Sequence, residues 1–294
     1  MSRNRTVGNL ALTGYDDIFS AGKISGGECV VEKQLTELFP PEFHPFQVND
    51  DLAMFRLSAN IKQFGVRIPG LVRPRYDGGY ELLSGNRRKR GCELAGILSM
   101  PVIIREMDDD TAALAMVDSN LEQRERILPS EKAWAYRVMM EALNHNGIKG
   151  ESHSYEIMVE RTGESKNQIF RVIRLTELVI ALLDKVDAKQ LAFNPAVELS
   201  YLSQIEQTAV AEAMERYEVK PSLSQAVRLK KKKQDGLLTI PVIDRILAEV
   251  KKPQRNDPTD SIRFRKYFPP EYSQKQMDTV IVKLLKDWKE STTQ

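Results

Sequence analysis

The chain has 294 residues, with 43 Lys and Arg against 41 Asp and Glu, which is enough polypeptide for about two domains. A formal net charge of +2 excludes a protein that coats nucleic acid with its whole surface, so any such contact has to come from a local stripe. Two cysteines (Cys29, Cys92) and three histidines (His44, His145, His153) lack the spacing of a zinc site or a disulfide framework.

Residues 1–123 carry 14 basic against 17 acidic side chains, and residues 124–294 carry 29 against 24, placing a nucleic-acid-facing half late in the chain. No run of about 18 apolar residues occurs, and residues 1–14 lack a signal-peptide core, so a cytoplasmic protein without membrane association is expected. Residues 1–25 have no sustained period and read as a flexible tail. From Asp50, Leu52, Phe55, Ile61 and Phe64 recur near helical spacing, with Gly65 at the end as a cap. Gly70–Arg75 and Tyr80–Leu83 read as strands around Asp77-Gly78-Gly79, a turn that tolerates positive φ. A helix to about Ile97, a strand Pro101–Arg105 and a helix capped by Asp110 and running through Met116 complete a small α/β domain, placed at 26–125.

From Ser130 onward the periodicity is helical, giving an all-α domain at 126–235. Within it, Tyr155–Gly163 and Glu164–Arg174 have the grammar of a helix-turn-helix. Val159 lies four residues before the turn glycine, Ser165 can cap the second helix, and Ile169, Val172 and Ile173 point inward. Lys166, Asn167, Gln168, Phe170, Arg171 and Arg174 are left outward, where such a helix meets the major groove. Asn and Gln suit adenine, and Arg suits guanine or phosphate. An ordinary surface helix of a bundle is the alternative. Lys230–Lys233 reads as a solvated helix end or a non-specific phosphate contact. Residues 236–294 comprise a linker, Lys251–Asp260, and a terminal unit. That unit has a short strand at Ile262–Phe264 and an amphipathic helix with Met277, Val280, Ile281, Leu284, Leu285 and Trp288 on one face, expected to form a dimer contact, with packing back on its own chain as the alternative.

The segment Ser84-Gly85-Asn86-Arg87-Arg88-Lys89-Arg90-Gly91 joins a strand to a helix start. The first N–H groups of a helix lack intrahelical partners and attract anions, so Gly85 with Arg87, Arg88 and Arg90 can hold phosphate; a charged, solvated helix start is the other reading. Gly91, inside the helix, costs up to about 1 kcal/mol relative to Ala, so it needs a packing or close-approach reason. Cys92 reads as a packed helix residue.

GNRRKRGCELAG (85–96) resembles the GERRxRAxxLAG signature of the ParB family of partition proteins. His44–Gln47 resembles its NPYQPR segment, Gly65–Val72 its GIIQPIIV segment, Ser119–Glu125 its ENLQRE segment, and Phe193–Leu199 the stretch that follows its helix-turn-helix. The resemblance implies a ParB/sulfiredoxin-like α/β domain followed by an all-α helix-turn-helix domain and a small C-terminal helical unit. It also implies that CTP with Mg²⁺ is bound, with Gly85, Asn86, Arg87, Arg88 and Arg90 on the phosphate motif and Asn120 on the asparagine that holds the metal. Double-stranded DNA with a palindromic site would be read through Ser165, Lys166, Asn167, Gln168, Arg171 and Arg174. A palindrome calls for a homodimer. A Walker-type ATPase partner and a plasmid or mobile-element setting, with nucleoid or plasmid association, also follow from the resemblance.

The chain departs from the family pattern in three places. Asn86 and Ser119 stand where the signatures have Glu, and no arginine follows Gln47 as in NPYQPR. Loss of two carboxylates weakens the case for Mg²⁺ coordination and for CTP hydrolysis. Two further readings stay open: a regulator of transcription without a partition role, and an enzyme, either nuclease or sulfiredoxin-like. The sulfiredoxin comparison lacks the accompanying histidine, since Glu93 follows Cys92, and no carboxylate–histidine cluster supports strand cleavage.

Overall fold

A computed structural model describes residues 29–123, 127–145, 151–249 and 265–292. The chain divides into a compact unit that ends at Leu247 and a second one beyond it. The tail at 1–25, the linker at 251–260 and the strand expected at 262–264 lie outside the described residues.

The first unit begins with a five-stranded mixed sheet: β1 (Val30–Gln34), β2 (Leu38–Phe39), β3 (Gly70–Pro74), β4 (Tyr80–Ser84) and β5 (Ser99–Ile104), in the order β1-β5-β3-β4-β2. β3 and β4 form the expected antiparallel hairpin, with Val72 opposite Leu82, and Gly78 and Gly79 turn at φ +95° and +72°. A Cβ on Gly79 would lie 2.6 Å from the ring of Phe39 and 2.8 Å from the Glu37 carbonyl oxygen, so only glycine fits there. β3 runs parallel to β5, and β1 closes that edge antiparallel to β5. The edge strand β1 buries none of its residues.

Strand alternation gives the sheet two covered faces. Val72, Leu82, Met100 and Val102 share one apolar cluster with Ile61 of α1 (Leu52–Phe64) and Cys92 of α2 (Asn86–Ala95). Leu71, Leu83 and Ile103 belong instead to a cluster shared with the helices that follow. Asp51 caps α1 through the Met54 N–H, and Gly65 ends it at φ +73°. The face of α1 differs from the expectation: Met54, Ser58 and Ile61 are buried, whereas Leu52, Phe55 and Phe64 are exposed. α2 ends at left-handed Gly96. Its Gly91 has the close approach its position demanded, since a Cβ there would lie 2.8 Å from Ile61 Cδ1.

α3 (Asp109–Gln123) is longer than expected. Its start is held by Asp108, whose Oδ1 accepts the Thr111 N–H at 2.7 Å, rather than by Asp110. The helices α4 (Pro129–His145), α5 (Glu151–Thr162), α6 (Lys166–Ile173), α7 (Ile180–Asp187), α8 (Phe193–Leu199), α9 (Gln204–Arg216), α10 (Leu223–Gln234) and α11 (Ile240–Leu247) follow. An α/β sheet followed by helices is the expected fold class. In the second unit, α12 (Gln274–Thr292) buries Met277 and exposes Val282, Leu284, Leu285 and Trp288.

Candidate phosphate cradle and nucleic-acid interface

β4 delivers the chain to Gly85, which adopts φ +113° and ψ +10° immediately before α2. A Cβ at Gly85 would sit a tight 3.3 Å from Gly70 Cα, but it is the left-handed backbone angle that calls for glycine here. No side chain caps α2, which leaves the first-turn N–H groups available to an anion. Arg87, in that turn, forms no hydrogen bond or ion pair with any described residue.

The other basic side chains of the segment are engaged. Arg88 Nη1 donates to the carbonyl oxygens of Ile68 (2.6 Å) and Pro69 (2.5 Å), and its Nη2 donates to Ser84 Oγ (3.2 Å). It thereby ties the loop before β3 to α2. Arg90 makes a two-pronged contact with Asp50, at 2.9 and 2.5 Å, and an ion pair with Glu93 at 3.0 Å. Asn86 Nδ2 donates to the Leu82 carbonyl oxygen at 3.2 Å and to His44 Nε2 at 3.1 Å. This contact brings the 44–47 and 84–91 segments together, 42 residues apart. Gln47 is anchored through its N–H to Glu131 Oε1 at 2.7 Å.

Asn120 lies on α3, and its Nδ2 donates to the Met116 carbonyl oxygen at 2.8 Å, leaving Oδ1 as the atom that can face a metal. Ser119 is 4% exposed, and its hydroxyl also donates to the Met116 carbonyl. Among the described residues no group of three His, Cys, Asp or Glu side chains can hold a metal ion. The Gly85 turn therefore fits an anion, whereas Mg²⁺ fits only as an ion whose other oxygen ligands come with a bound phosphate. Residues 124 and 125 of the third motif lie outside the described residues. Cys92 is fully buried, and burial pushes its thiol up from the ordinary range, as for an unreactive packing residue.

The second constellation is the pair α5 and α6. Gly163 turns at φ +69°, and Ser165 Oγ accepts the Gln168 N–H at 3.3 Å. Ile169 and Val172 are buried, Ile173 packs against the same core, and Lys166, Asn167 and Phe170 are exposed. Gln168 is half-buried in the first turn. Arg171 donates to Asn194 Oδ1 and lies 5.2 Å from the Phe193 ring. Arg174, in a 3₁₀ turn beyond α6, donates to the Ser200 carbonyl at 2.6 Å and lies 4.4 Å from the Tyr201 ring. The lysine string belongs to α10. Lys230 bonds Glu198 at 2.9 Å above the Tyr201 ring, and Lys233 bonds the Tyr201 carbonyl, whereas Lys231 and Lys232 are exposed.

Sequence reasoning missed His44 and Glu131 as partners of these motifs. Their contacts span 42 and 84 residues, and no local period reports such contacts.

The family profile of the ParB N-terminal domain matches residues 20–121. The chain is 30% identical over 207 residues to a nucleoid occlusion protein of Listeria innocua, covering 70% of this chain and 68% of that protein. It is 29% identical over 177 residues to a probable chromosome-partitioning protein ParB of Xylella fastidiosa, covering 60% of this chain and 54% of that protein. Among solved structures it is similar to C-terminally truncated ParB from Caulobacter crescentus. In complex with the centromeric parS site the identity is 20% and the TM-score 0.43, over 75% of this chain and all of that one. With CTP-gamma-S they are 24% and 0.30, over 64% and 99%.

Proposed function

The chain belongs to the ParB family, and from that membership we propose that it is a sequence-specific DNA-binding partition protein whose α/β part takes up cytidine triphosphate. The observation that carries the DNA half is the first turn of α6: a Ser165-capped helix, anchored by buried Ile169 and Val172, that exposes Lys166 and Asn167 beside Gln168. In this reading Asn167 and Gln168 meet base edges, Lys166 meets phosphate, and Arg171 reaches DNA from its seat on Asn194. Arg174, tied to Ser200, braces the end of α6. The site is palindromic and the protein a homodimer. A Walker-type ATPase and a plasmid or mobile element complete the setting.

The nucleotide half rests on the uncapped start of α2 behind left-handed Gly85. Backbone N–H groups and Arg87 hold the phosphates, Arg88 keeps the loop before β3 in place, and Arg90 joins once it leaves Asp50. Asn120 Oδ1 is the chain's own oxygen that would hold a magnesium ion brought in with the nucleotide, which would supply neutralisation of the phosphate charge. Asn86 and Ser119 supply no carboxylate, so the protein binds CTP and turns over little of it.

The test begins with duplexes selected from a random library. Gln168→Ala loses about 1–3 kcal/mol of binding to the selected site and almost none to random DNA, whereas Lys166→Ala weakens both alike. Equal losses for Gln168→Ala on both duplexes refute the recognition role. Calorimetry with CTP, ATP and GTP in Mg²⁺ tests the cradle. No CTP heat at millimolar nucleotide, with and without the selected duplex, refutes it.

A further inference from the structure

Asn86 has both of its inward contacts on hydrogen-bond acceptors, and this fixes the arrangement of a three-residue chain. The Phe46 carbonyl oxygen lies 2.7 Å from His44 Nδ1. A carbonyl only accepts, so Nδ1 carries a ring proton, and Nε2, the partner of an amide NH₂ that only donates, is then the acceptor nitrogen of a neutral imidazole. Nε2 and the Leu82 carbonyl oxygen both face the Asn86 amide, so its NH₂ must point inward at both. Among the described residues no group donates to its Oδ1, and that atom is not fully buried. Behind His44, the segment is clamped by Glu131, which is 4% exposed and accepts the N–H groups of Gln47 at 2.7 Å and Leu128 at 3.1 Å.

We infer that His44 is a positioning residue of the cradle: as the Nδ1–H tautomer it turns the Asn86 NH₂ inward and presents Oδ1 at the first turn of α2, the turn that also carries Arg87. This inference rests on the nucleotide reading above and adds to it. The site offers a neutral acceptor at this point, suited to a hydrogen-bond donor of the bound nucleotide or of a metal-bound water, where a carboxylate would repel phosphate. A carboxylate at residue 86 would face two acceptors and could not donate to either.

Two measurements on the full chain test this. A long-range ¹H–¹⁵N spectrum of imidazole-labelled protein should show His44 as the Nδ1–H tautomer, and Asn86→Ala should move its Nε2 resonance. A wild-type spectrum dominated by the Nε2–H form overturns the inference whatever the nucleotide does. The second is CTP titration in Mg²⁺. His44→Ala should bind about tenfold more weakly with an unchanged unfolding midpoint. His44→Gln, whose Oε1 can accept from Asn86, should stay near wild type. Equal binding by wild type and His44→Ala overturns the positioning role. If wild type itself takes no CTP, the nucleotide reading is what fails, and the tautomer spectrum still decides the His44–Asn86 arrangement.

Discussion

Gly91 of α2 and Ile61 of α1 meet so closely that a single added methyl group would lie 2.8 Å from Ile61 Cδ1. On an exposed helix, Gly→Ala stabilises by up to about 1 kcal/mol. Here the methyl group overpacks a core in which Ile61 is buried, at a cost of about 1–3 kcal/mol. Gly91→Ala should therefore lower stability by about 1 kcal/mol, and Gly91→Val by more. Urea midpoints at unchanged m-value measure it; a stabilised Gly91→Ala would show that α1 yields.

Asp50 engages the Arg90 guanidinium in a two-pronged ion pair. The Arg90 guanidinium keeps the Asp50 carboxyl below the usual carboxylate range, so this pair contributes to folding above that range and is lost as pH falls through the lowered value. Between pH 5 and 8 Asp50 stays charged, and its competition for Arg90 is constant. Asp50→Asn should raise CTP affinity about two- to fivefold, as expected for releasing an exposed ion pair, with the same ratio at pH 6 and pH 8. Nucleotide titrations at both values check this; a ratio of one, or one that changes with pH, argues against it.

Restoring the family's two carboxylates is blocked at one position by the fold. Ser119 is buried, and its hydroxyl is spent on its own helix. Ser119→Glu places a longer, charged group where water is excluded, so it should cost more than about 2 kcal/mol. The double variant Asn86→Glu, Ser119→Glu should therefore unfold earlier than wild type instead of gaining turnover. Thermal unfolding followed by circular dichroism, with phosphate release measured alongside, settles both halves.

Val282, Leu284, Leu285 and Trp288 line the exposed side of α12, an apolar stripe that a second copy of the helix can cover. Sedimentation should find the full chain as a dimer and a 1–250 truncation as a monomer at low micromolar concentration. A truncation that remains dimeric places the main interface elsewhere.

The hairpin β3–β4 and the pair α5–α6 were legible because their signals are local. Asp77-Gly78-Gly79 and Ser165 act within a few residues of themselves. The face of α1 misled for a physical reason: Leu52, Phe55 and Phe64 are large and apolar yet exposed, while the buried side runs through Ser58 toward the small Gly91. Edge strand β1 escaped notice because it buries no residue and its sequence, Val-Val-Glu-Lys-Gln, does not alternate apolar with polar. The cradle was legible as far as Gly85 and the basic run. Which arginine stays unpaired depends on distant partners, Asp50 for Arg90 and the Ile68 and Pro69 carbonyls for Arg88.

Leu71, Leu83 and Ile103 of the sheet lie in one apolar cluster with Met139 of α4 and Ile169 of α6. For anyone recombining parts of this protein, the sequence boundary near residue 125 is a poor place to cut. A fragment ending there would bare the apolar side of α3 that packs on α4, and a graft of α5–α6 onto another scaffold would lose the floor on which α6 rests. A splice beyond Leu247 leaves that cluster whole, so chimeras that exchange the chain's far end should express as soluble protein where exchanges at residue 125 aggregate.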